Sequence, residues 1–412
     1  MKYRVSKNNK ILRGEIMLPA SKSISNRILI INALSNRSSE IFNLSESSDT
    51  QRLATFLKSS ETKFDVDNAG TTMRFLTTFL ANKPGEWTLF GSERMNKRPI
   101  GILANALKNL GVKIEYLDRE GFPPIKIYGA DLKGGKTDIY GNISSQFISS
   151  LLLVAPTFSE GLVLKLKSRI VSKPYIDMTL KLMRKFGVKS TWIDDNIIIE
   201  PQKYKTKDFT IESDWSAASY WYELATFADD VNLKLVGLTR RSIQGDSLLI
   251  KLYDKLGIKT TFTDDGVILT KKQRYKKPDI FEYNLIDTPD LAQTLTVTLS
   301  MLDIPFSLSG LDTLAVKETN RVHALKNELK KFNLNLVATD DSISKFGNSH
   351  IVLDDKYKFT VDTYGDHRMA MSFAPVALFT PIIIDNPEVV SKSYPNFWTD
   401  LKSVGFEIET LK

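Results

Sequence analysis

Six times along this 412-residue chain, a short run of small or acidic polar residues opens into an apolar helical run. The instances are "PASKSISNRILIINAL", "DNAGTTMRFLTTFL", "GNISSQFISSLLLVAP", "ESDWSAASYWYELAT", "DTPDLAQTLTVTLSM" and "YGDHRMAMSFAPVALF". Each polar start suits a tight turn and a helix N-cap. With Ser21, Asn68, Ser144, Asp214, Asp290 and Asp366 as markers, the successive spacings are 47, 76, 70, 76 and 76 residues. A second pattern keeps step with the first. An amphipathic helix ends at Gly or an equivalent residue and runs into a strand: "LKNLGVKIEYL", "MRKFGVKSTWI", "YDKLGIKTTFT", "LKKFNLNLVAT" and "LKSVGFEIET". "FLKSSETKFDVD" occupies the first slot. The Gly predicts a left-handed helix end, and the β-branched alternation after it predicts a strand. "DDNIIIE" and "DDGVILT" read as hairpin returns.

Each repeat therefore reads as two helices and three or four strands, a βαβαββ-like unit used six times. The period is too long for a solenoid of helical pairs. Helices such as "ISSLLLVAP" and "TLTVTLSM" are apolar on all sides, which predicts that they are buried, with sheets wrapped outside them. A chain of this length exceeds one ordinary core. The expected fold is thus a two-lobed inside-out α/β barrel with three repeats per lobe. Residues 18–238 form the lobe with repeats one to three. Residues 1–17 plus 239–412 form the second, with repeats four to six. The N-terminal strand completes the second lobe, so the chain crosses between lobes near Pro19 and near Gly237. A hinge and an interdomain cleft holding the active site follow as expectations.

Composition narrows the chemistry. There is no Cys, which excludes disulfides, thiolate metal sites and a thiol nucleophile. Three His, at 323, 350 and 367, make a His-rich metal site a poor fit, so no metal and no cofactor are expected. The formal net charge of +8 comes from scattered Lys and Arg without a long basic block, which favours small anions over nucleic acid as partners. The first residues lack a signal-peptide core, and no apolar run reaches the length of a membrane span. A cytoplasmic protein with no membrane partner is the expectation.

The polar starts carry the candidate chemistry. In "SKSISNR", Ser21 and Ser23 can cap a helix, but Lys22 and Arg27 oppose its macrodipole unless an anion sits there. "DNAGTTMR" puts Gly70 where backbone can approach a ligand, and "NKRPIGIL" aims Arg98 at another helix start. "GNISSQF" offers Ser144, Ser145 and Gln146, and "VSKPYID" offers Ser172 and Tyr175, as caps or as hydrogen-bond donors to a ligand. Asp290 begins a helix, as a capping Asp does. "VKETNR" crowds Glu318 between Lys317 and Arg321. "YGDHRMAM" sets Asp366, His367 and Arg368 before a buried helix, and "SKSYPNF" adds Lys392. Polar or ionic chemistry thus recurs at the same end of the buried helices, an arrangement suited to multiply charged anions. "GGKT" at Gly134–Thr137 is not a phosphate-binding loop, because Ala130 stands where that motif needs Gly.

In this order, "SKSISNR", "NAGTTMR", "RPIG", "SSQF", "SKPYID", "PD", "VKETNR" and "DHRMAM" resemble the 5-enolpyruvylshikimate-3-phosphate synthase family, from Leu18 to Lys392. The resemblance implies an addition–elimination reaction of shikimate 3-phosphate with phosphoenolpyruvate, on the route to chorismate and the aromatic amino acids, in a monomer without cofactor. It implies that Lys22, Ser23, Arg27, Ser144, Ser145, Gln146, Ser172, Tyr175, Asp290 and Lys317 hold shikimate 3-phosphate. Phosphoenolpyruvate would meet Lys22, Gly70, Arg98, Gln146, Arg321, Arg368 and Lys392. Asp290, Glu318 and Lys22 would share the proton transfers, with Asp290 taking the 5-hydroxyl proton and Glu318 protonating C3. The chain departs from the family pattern at Thr313 (usually Asn), Asn320 (usually Asp), Asp67 (often Gly) and the bulky Trp215. Two other readings fit the residues less well. The related UDP-N-acetylglucosamine enolpyruvyl transferases usually carry a reactive Cys, which this chain lacks. A non-catalytic binder of anions or RNA has no use for Asp290 and Glu318 in its site.

Overall fold

The computed structural model of the chain describes residues 1–35, 39–347, 349–354 and 359–411. It divides into two compact units, Ser21–Ile211 and the joined segments Met1–Ala20 and Glu212–Lys412. The sequence reading carried the first lobe on to residue 238, but residues 212–238 belong with the N-terminal strands. The helix Trp215–Phe227 buries Trp215, Tyr220 and Trp221 in that unit's core. The strand behind it, Asp230–Val236, pairs in parallel with Ile11–Met17. Near this crossing, the Asp214 amide donates to the Pro19 carbonyl at 2.9 Å, and Ala20 bridges Ser213.

In the unit Ser21–Ile211, three helices pack against one another at the centre: Lys22–Ala33, Gly70–Ala81 and Ser145–Val154. The last shows why they sit inside: nine of its ten residues, all but Gln146, are buried. Water-exposed placement of such a helix would forfeit roughly 1.5–3 kcal/mol for each large apolar side chain. The outer helix Lys173–Lys185 buries one face only, through Ile176, Met178, Thr179, Leu182 and Met183. Two four-stranded sheets and one two-stranded sheet accompany these helices.

In the other unit the inner helices are Trp215–Phe227, Ala292–Met301 and His367–Phe373, again in mutual contact. Every residue of Ala292–Met301 is buried. Three four-stranded sheets belong to this unit. One of them takes Lys2–Ser6 between Ile382–Asp385 and Glu407–Leu411, so the chain's first strand closes its last sheet.

All five four-stranded sheets share one plan. A parallel pair comes first, as in Lys63–Asp65 with Gly85–Phe90, and an antiparallel pair adds to it: a hairpin such as Lys113–Tyr116 and Ile125–Gly129 in four sheets, and the strands Lys2–Ser6 and Glu407–Leu411 in the fifth. Parallel neighbours need a crossover, and the buried helix Gly70–Ala81 supplies it here. The turn into the hairpin lies where the sequence placed it. Gly111, Gly187, Gly257, Gly405 and Asn333 all have positive φ, between 62° and 90°. The first repeat differs. Its helix Ser48–Lys58 ends at Ser59 in extended conformation, without a left-handed residue. The following strand, Lys63–Asp65, joins the sheet of the second repeat, and the first repeat keeps only the pair Ile41–Phe42 and Phe209–Thr210. The expected three or four strands are therefore reduced to two there. Among the described residues no helix is long and apolar enough to cross a membrane.

Candidate active site

The candidate residues fall in two groups, one in each unit. In Ser21–Ile211 the first turns of several helices are tied side by side. Ser21 caps Lys22–Ala33 by accepting from the Ile24 amide. Lys22 Nζ lies 3.2 Å from Asp49 Oδ2, on the first turn of Ser48–Lys58. The Thr72 hydroxyl donates to the Asp49 carbonyl at 3.0 Å, and Gln146 Nε2 donates to Thr71 Oγ1 at 3.1 Å. Lys22, Thr71 and Gln146 are thereby brought to one place. Ser144 caps Ser145–Val154 through the Gln146 amide, Ser145 is buried behind it, and Ser23 is half-buried on the first turn of its own helix.

Arg27 is 2 % exposed, and its partners are neutral. Nε donates to Thr179 Oγ1 at 2.7 Å, Nη1 to the Ser23 carbonyl at 2.8 Å, and Nη2 to Ser149 Oγ at 3.1 Å and the Tyr175 carbonyl at 3.2 Å. Burial pulls this guanidinium down to about 10, against a smaller upward pull from Tyr175. Four of its N–H groups are thus committed to protein, and Arg27 joins three helices. Ser172, before Lys173–Lys185, holds φ 54° and makes no cap bond. A non-glycine residue in this left-handed region stores about 1 kcal/mol or more of strain.

Gly70 opens the helix Gly70–Ala81. A Cβ there would stand 2.6 Å from both Arg98 Nη atoms, so the missing side chain is what lets the guanidinium lie on the helix start. Arg74 stands four residues on from Gly70 in the same motif. Buried, it donates to the Gly70 carbonyl at 3.0 Å and the Pro99 carbonyl at 3.2 Å, holding the Gly70 and Arg98 segments in register.

The second group is ionic. Arg321, also 2 % exposed, meets three carboxylates: Asp366 Oδ2 at 2.8 Å, Glu318 Oε2 at 3.0 Å and Asp290 Oδ1 at 3.3 Å. Lys392 Nζ reaches Glu318 Oε1 at 3.2 Å, and Arg368 Nη2 reaches Asp290 Oδ2 at 2.8 Å. Arg368 Nη1 also donates to the Asp290 carbonyl at 3.1 Å. Burial would raise the Asp290 carboxyl, but Arg368, Lys317 and Arg321 hold it well below the usual carboxylate range. Burial would likewise lower Arg321, but Asp366, Glu318 and Asp290 keep it protonated beyond its ordinary range. The structure thus brings together Asp290, Lys317, Glu318, Arg321, Arg368 and Lys392.

Two carboxylates here were not singled out as site residues. Asp366 caps His367–Phe373 through the Arg368 amide at 2.9 Å while gripping Arg321. Its place in "DHR" was the available signal. Asp246 accepts from the Ser216 hydroxyl and is buried; burial and then the Asp290 charge push it up to about 7. Nothing in "QGDS" marks it, because its proximity to Asp290 arises only in the folded chain. Of the departures, Asn320 caps Arg321–Lys330 through the His323 amide, as Asp would. Thr313 is 5 % exposed, and its hydroxyl has no hydrogen-bond partner among the described residues.

This geometry can bind phosphate and carboxylate anions and can move protons through Asp290 and Glu318. A family model described as EPSP synthase (3-phosphoshikimate 1-carboxyvinyltransferase) matches residues 6–61 and 54–401. The chain belongs to the EPSP synthase family. It is 46% identical over 411 residues to the 3-phosphoshikimate 1-carboxyvinyltransferase of Bacteroides fragilis strain YCH46, covering 99% of each chain. The protein of that name from Pseudoalteromonas atlantica is 34% identical, with 95% of this chain and 96% of the relative covered. Among solved structures, an Acinetobacter baumannii EPSP synthase matches with TM-score 0.78 at 21% identity, over 99% of this chain and 100% of that one. The enolpyruvyl transferase NikO from Streptomyces tendae matches with TM-score 0.76 at 14% identity, over 99% and 98% of the two chains. These structural likenesses establish the EPSP synthase-like two-unit fold.

Proposed function

We infer that the chain transfers the enolpyruvyl (carboxyvinyl) group of phosphoenolpyruvate to the 5-hydroxyl of shikimate 3-phosphate, giving 5-enolpyruvylshikimate 3-phosphate and phosphate. The observation that carries the mechanism is the pair Asp290 and Glu318 on one buried guanidinium, Arg321. Asp290 accepts the 5-hydroxyl proton as O5 bonds to C2 of the enol. Glu318, protonated once substrate anions offset Arg321 and Lys392, delivers that proton to C3, and a tetrahedral intermediate forms. Glu318 then takes a proton back from C3, the C2–O bond to phosphate breaks, the double bond re-forms, the proton held by Asp290 passes to the departing phosphate, and Lys22 balances its remaining charge.

A carboxylate held as low as Asp290 is a weak base. Substrate anions offset Arg368, Lys317 and Arg321, and so raise its proton affinity when the proton has to move. Two phosphate monoesters and two carboxylates bring roughly −5 to −6. Lys22, Arg27, Arg98, Lys317, Arg321, Arg368 and Lys392 oppose them. In this reading Lys22, Ser23, Arg27, Ser144, Ser145, Gln146, Ser172, Tyr175, Asp290 and Lys317 hold shikimate 3-phosphate. Gly70, Arg98, Gln146, Arg321, Arg368 and Lys392, with Lys22, hold phosphoenolpyruvate. In this reading the two groups act on the same pair of substrates, and the seven cations offset their charge. The Thr313 hydroxyl takes the place of the amide usual at that position. The enzyme works as a monomer in the cytoplasm, where phosphoenolpyruvate is made.

Phosphate release that needs both shikimate 3-phosphate and phosphoenolpyruvate tests this reading. Release with either alone, or none with both, would refute it.

A further inference from the structure

Away from these residues, a cavity of about 120 Å³ lies at the end of the strand Gly266–Lys271. Lys271, Lys272, Lys277 and Tyr275 line it together with Leu302 and Ile304. The Tyr275 ring lies against Gly257, 2.9 Å from where a Cβ would stand. Lys271 Nζ donates to the Thr226 carbonyl at 2.7 Å, which fixes the amine at the cavity wall. Lys272 Nζ pairs with Asp254 at 2.7 Å, and Lys277 Nζ donates to the Leu302 carbonyl at 2.6 Å. A second, more open depression shares Lys271 and Lys272 and adds Lys259 and Arg274. The cavity wall is therefore rich in cations, includes apolar side chains, and carries one partly buried amine.

We propose that this cavity is an acylation site, in which a small acyl phosphate gives its acyl group to the Lys271 ε-amine. The phosphate lies against Lys272 and Lys277, and the acyl chain against Leu302 and Ile304. The neutral amine attacks the acyl carbon, an N–C bond forms, and the C–O bond to phosphate breaks. Inorganic phosphate leaves with the electron pair, and the nitrogen loses its extra proton to water. The cationic wall favours this donor, because it both concentrates a polyanion and stabilises the phosphate that leaves. Burial supplies the nucleophile: it lowers the Lys271 ammonium to about 8, against a smaller opposing pull from Asp229. At pH 8 about half of such amines are neutral, against roughly 0.4 % for a lysine near its ordinary pKa of about 10.4. Lower basicity takes back part of that advantage.

The test is a time course of the full chain with acetyl phosphate at pH 8, each lysine followed by peptide mass spectrometry. Lys271 is expected to be acetylated at least about fivefold faster than exposed Lys276. In the variant carrying Lys272→Gln and Lys277→Gln the preference should fall towards unity. Equal rates at Lys271 and Lys276 would overturn the proposal. So would an undiminished preference in the double variant, or one of equal size with an uncharged acetyl ester in place of acetyl phosphate. None of these outcomes depends on the enolpyruvyl reaction.

Discussion

Arg27 and Arg321 are each 2 % exposed, yet their surroundings are opposite. Arg27 is held by hydroxyls and carbonyls, and burial pulls it down to about 10. Arg321 is held by three carboxylates and stays protonated beyond its usual range. The difference extends to the residues around them. Ser21–Ile211 offers hydroxyls, an amide and backbone N–H groups; the other unit offers an interlocked set of acids and bases. One repeat plan has thus produced a half whose buried arginine meets neutral groups and a half whose buried arginine meets carboxylates.

The contrast is tested most severely by removing each guanidinium. Arg321→Met takes a shared partner from Asp366, Glu318 and Asp290 and should destabilise the protein by about 3–5 kcal/mol. Arg27→Met leaves only neutral groups unpaired and should cost about 1–3 kcal/mol. Urea midpoints of the two variants decide, and equal losses would break the comparison.

Chemistry should divide along the same line. Glu318→Gln keeps a partner for Arg321 but cannot donate the proton, so kcat should fall by about 10²–10⁴ with little change in KM. Gln146→Ala, in the other unit, should act mainly on KM. Steady-state kinetics separate them, and near-normal turnover by Glu318→Gln would take that residue out of the mechanism. A smaller effect is expected at Gly70. The added methyl of Gly70→Ala must push the Arg98 guanidinium aside, and a rise of about tenfold in KM for phosphoenolpyruvate corresponds to about 1.4 kcal/mol. An unchanged KM would detach Arg98 from substrate binding. The smallest change belongs to Ser172→Gly. Relief of the left-handed strain should stabilise the fold by at most about 1 kcal/mol, while loss of the hydroxyl weakens shikimate 3-phosphate binding. Thermal unfolding beside a KM measurement checks both, and tighter binding would contradict the assignment of Ser172.

Much of this was legible beforehand where chemistry is local. The turn from each outer helix into its strand follows from a Gly or Asn just past the helix, and the first repeat, which lacks such a residue, also lacks a four-stranded sheet of its own. Lys22 and Arg368 were visible because charge before a buried helix is costly without a partner, Glu318 because it stands between two cations, and Asp290 through the family resemblance. Asp246 was not, since an Asp in a short turn has an ordinary solvated explanation. The domain boundary was misplaced by 27 residues, from Ile211 to residue 238, because strand partners are not written in a strand's own residues.

By itself the sequence determined the repeat, the inner and outer helices and the chemical kinds of residue at each helix start, because caps, turns and periodicity act over a few neighbouring residues. Only the tertiary structure decided that Asp366 and Asp290, 45 and 31 residues from Arg321, share its guanidinium. It also decided that Arg27 finds hydroxyls 122 and 152 residues away. Such pairings depend on which helix starts collapse together, and a buried charge takes its character from whatever group arrives there.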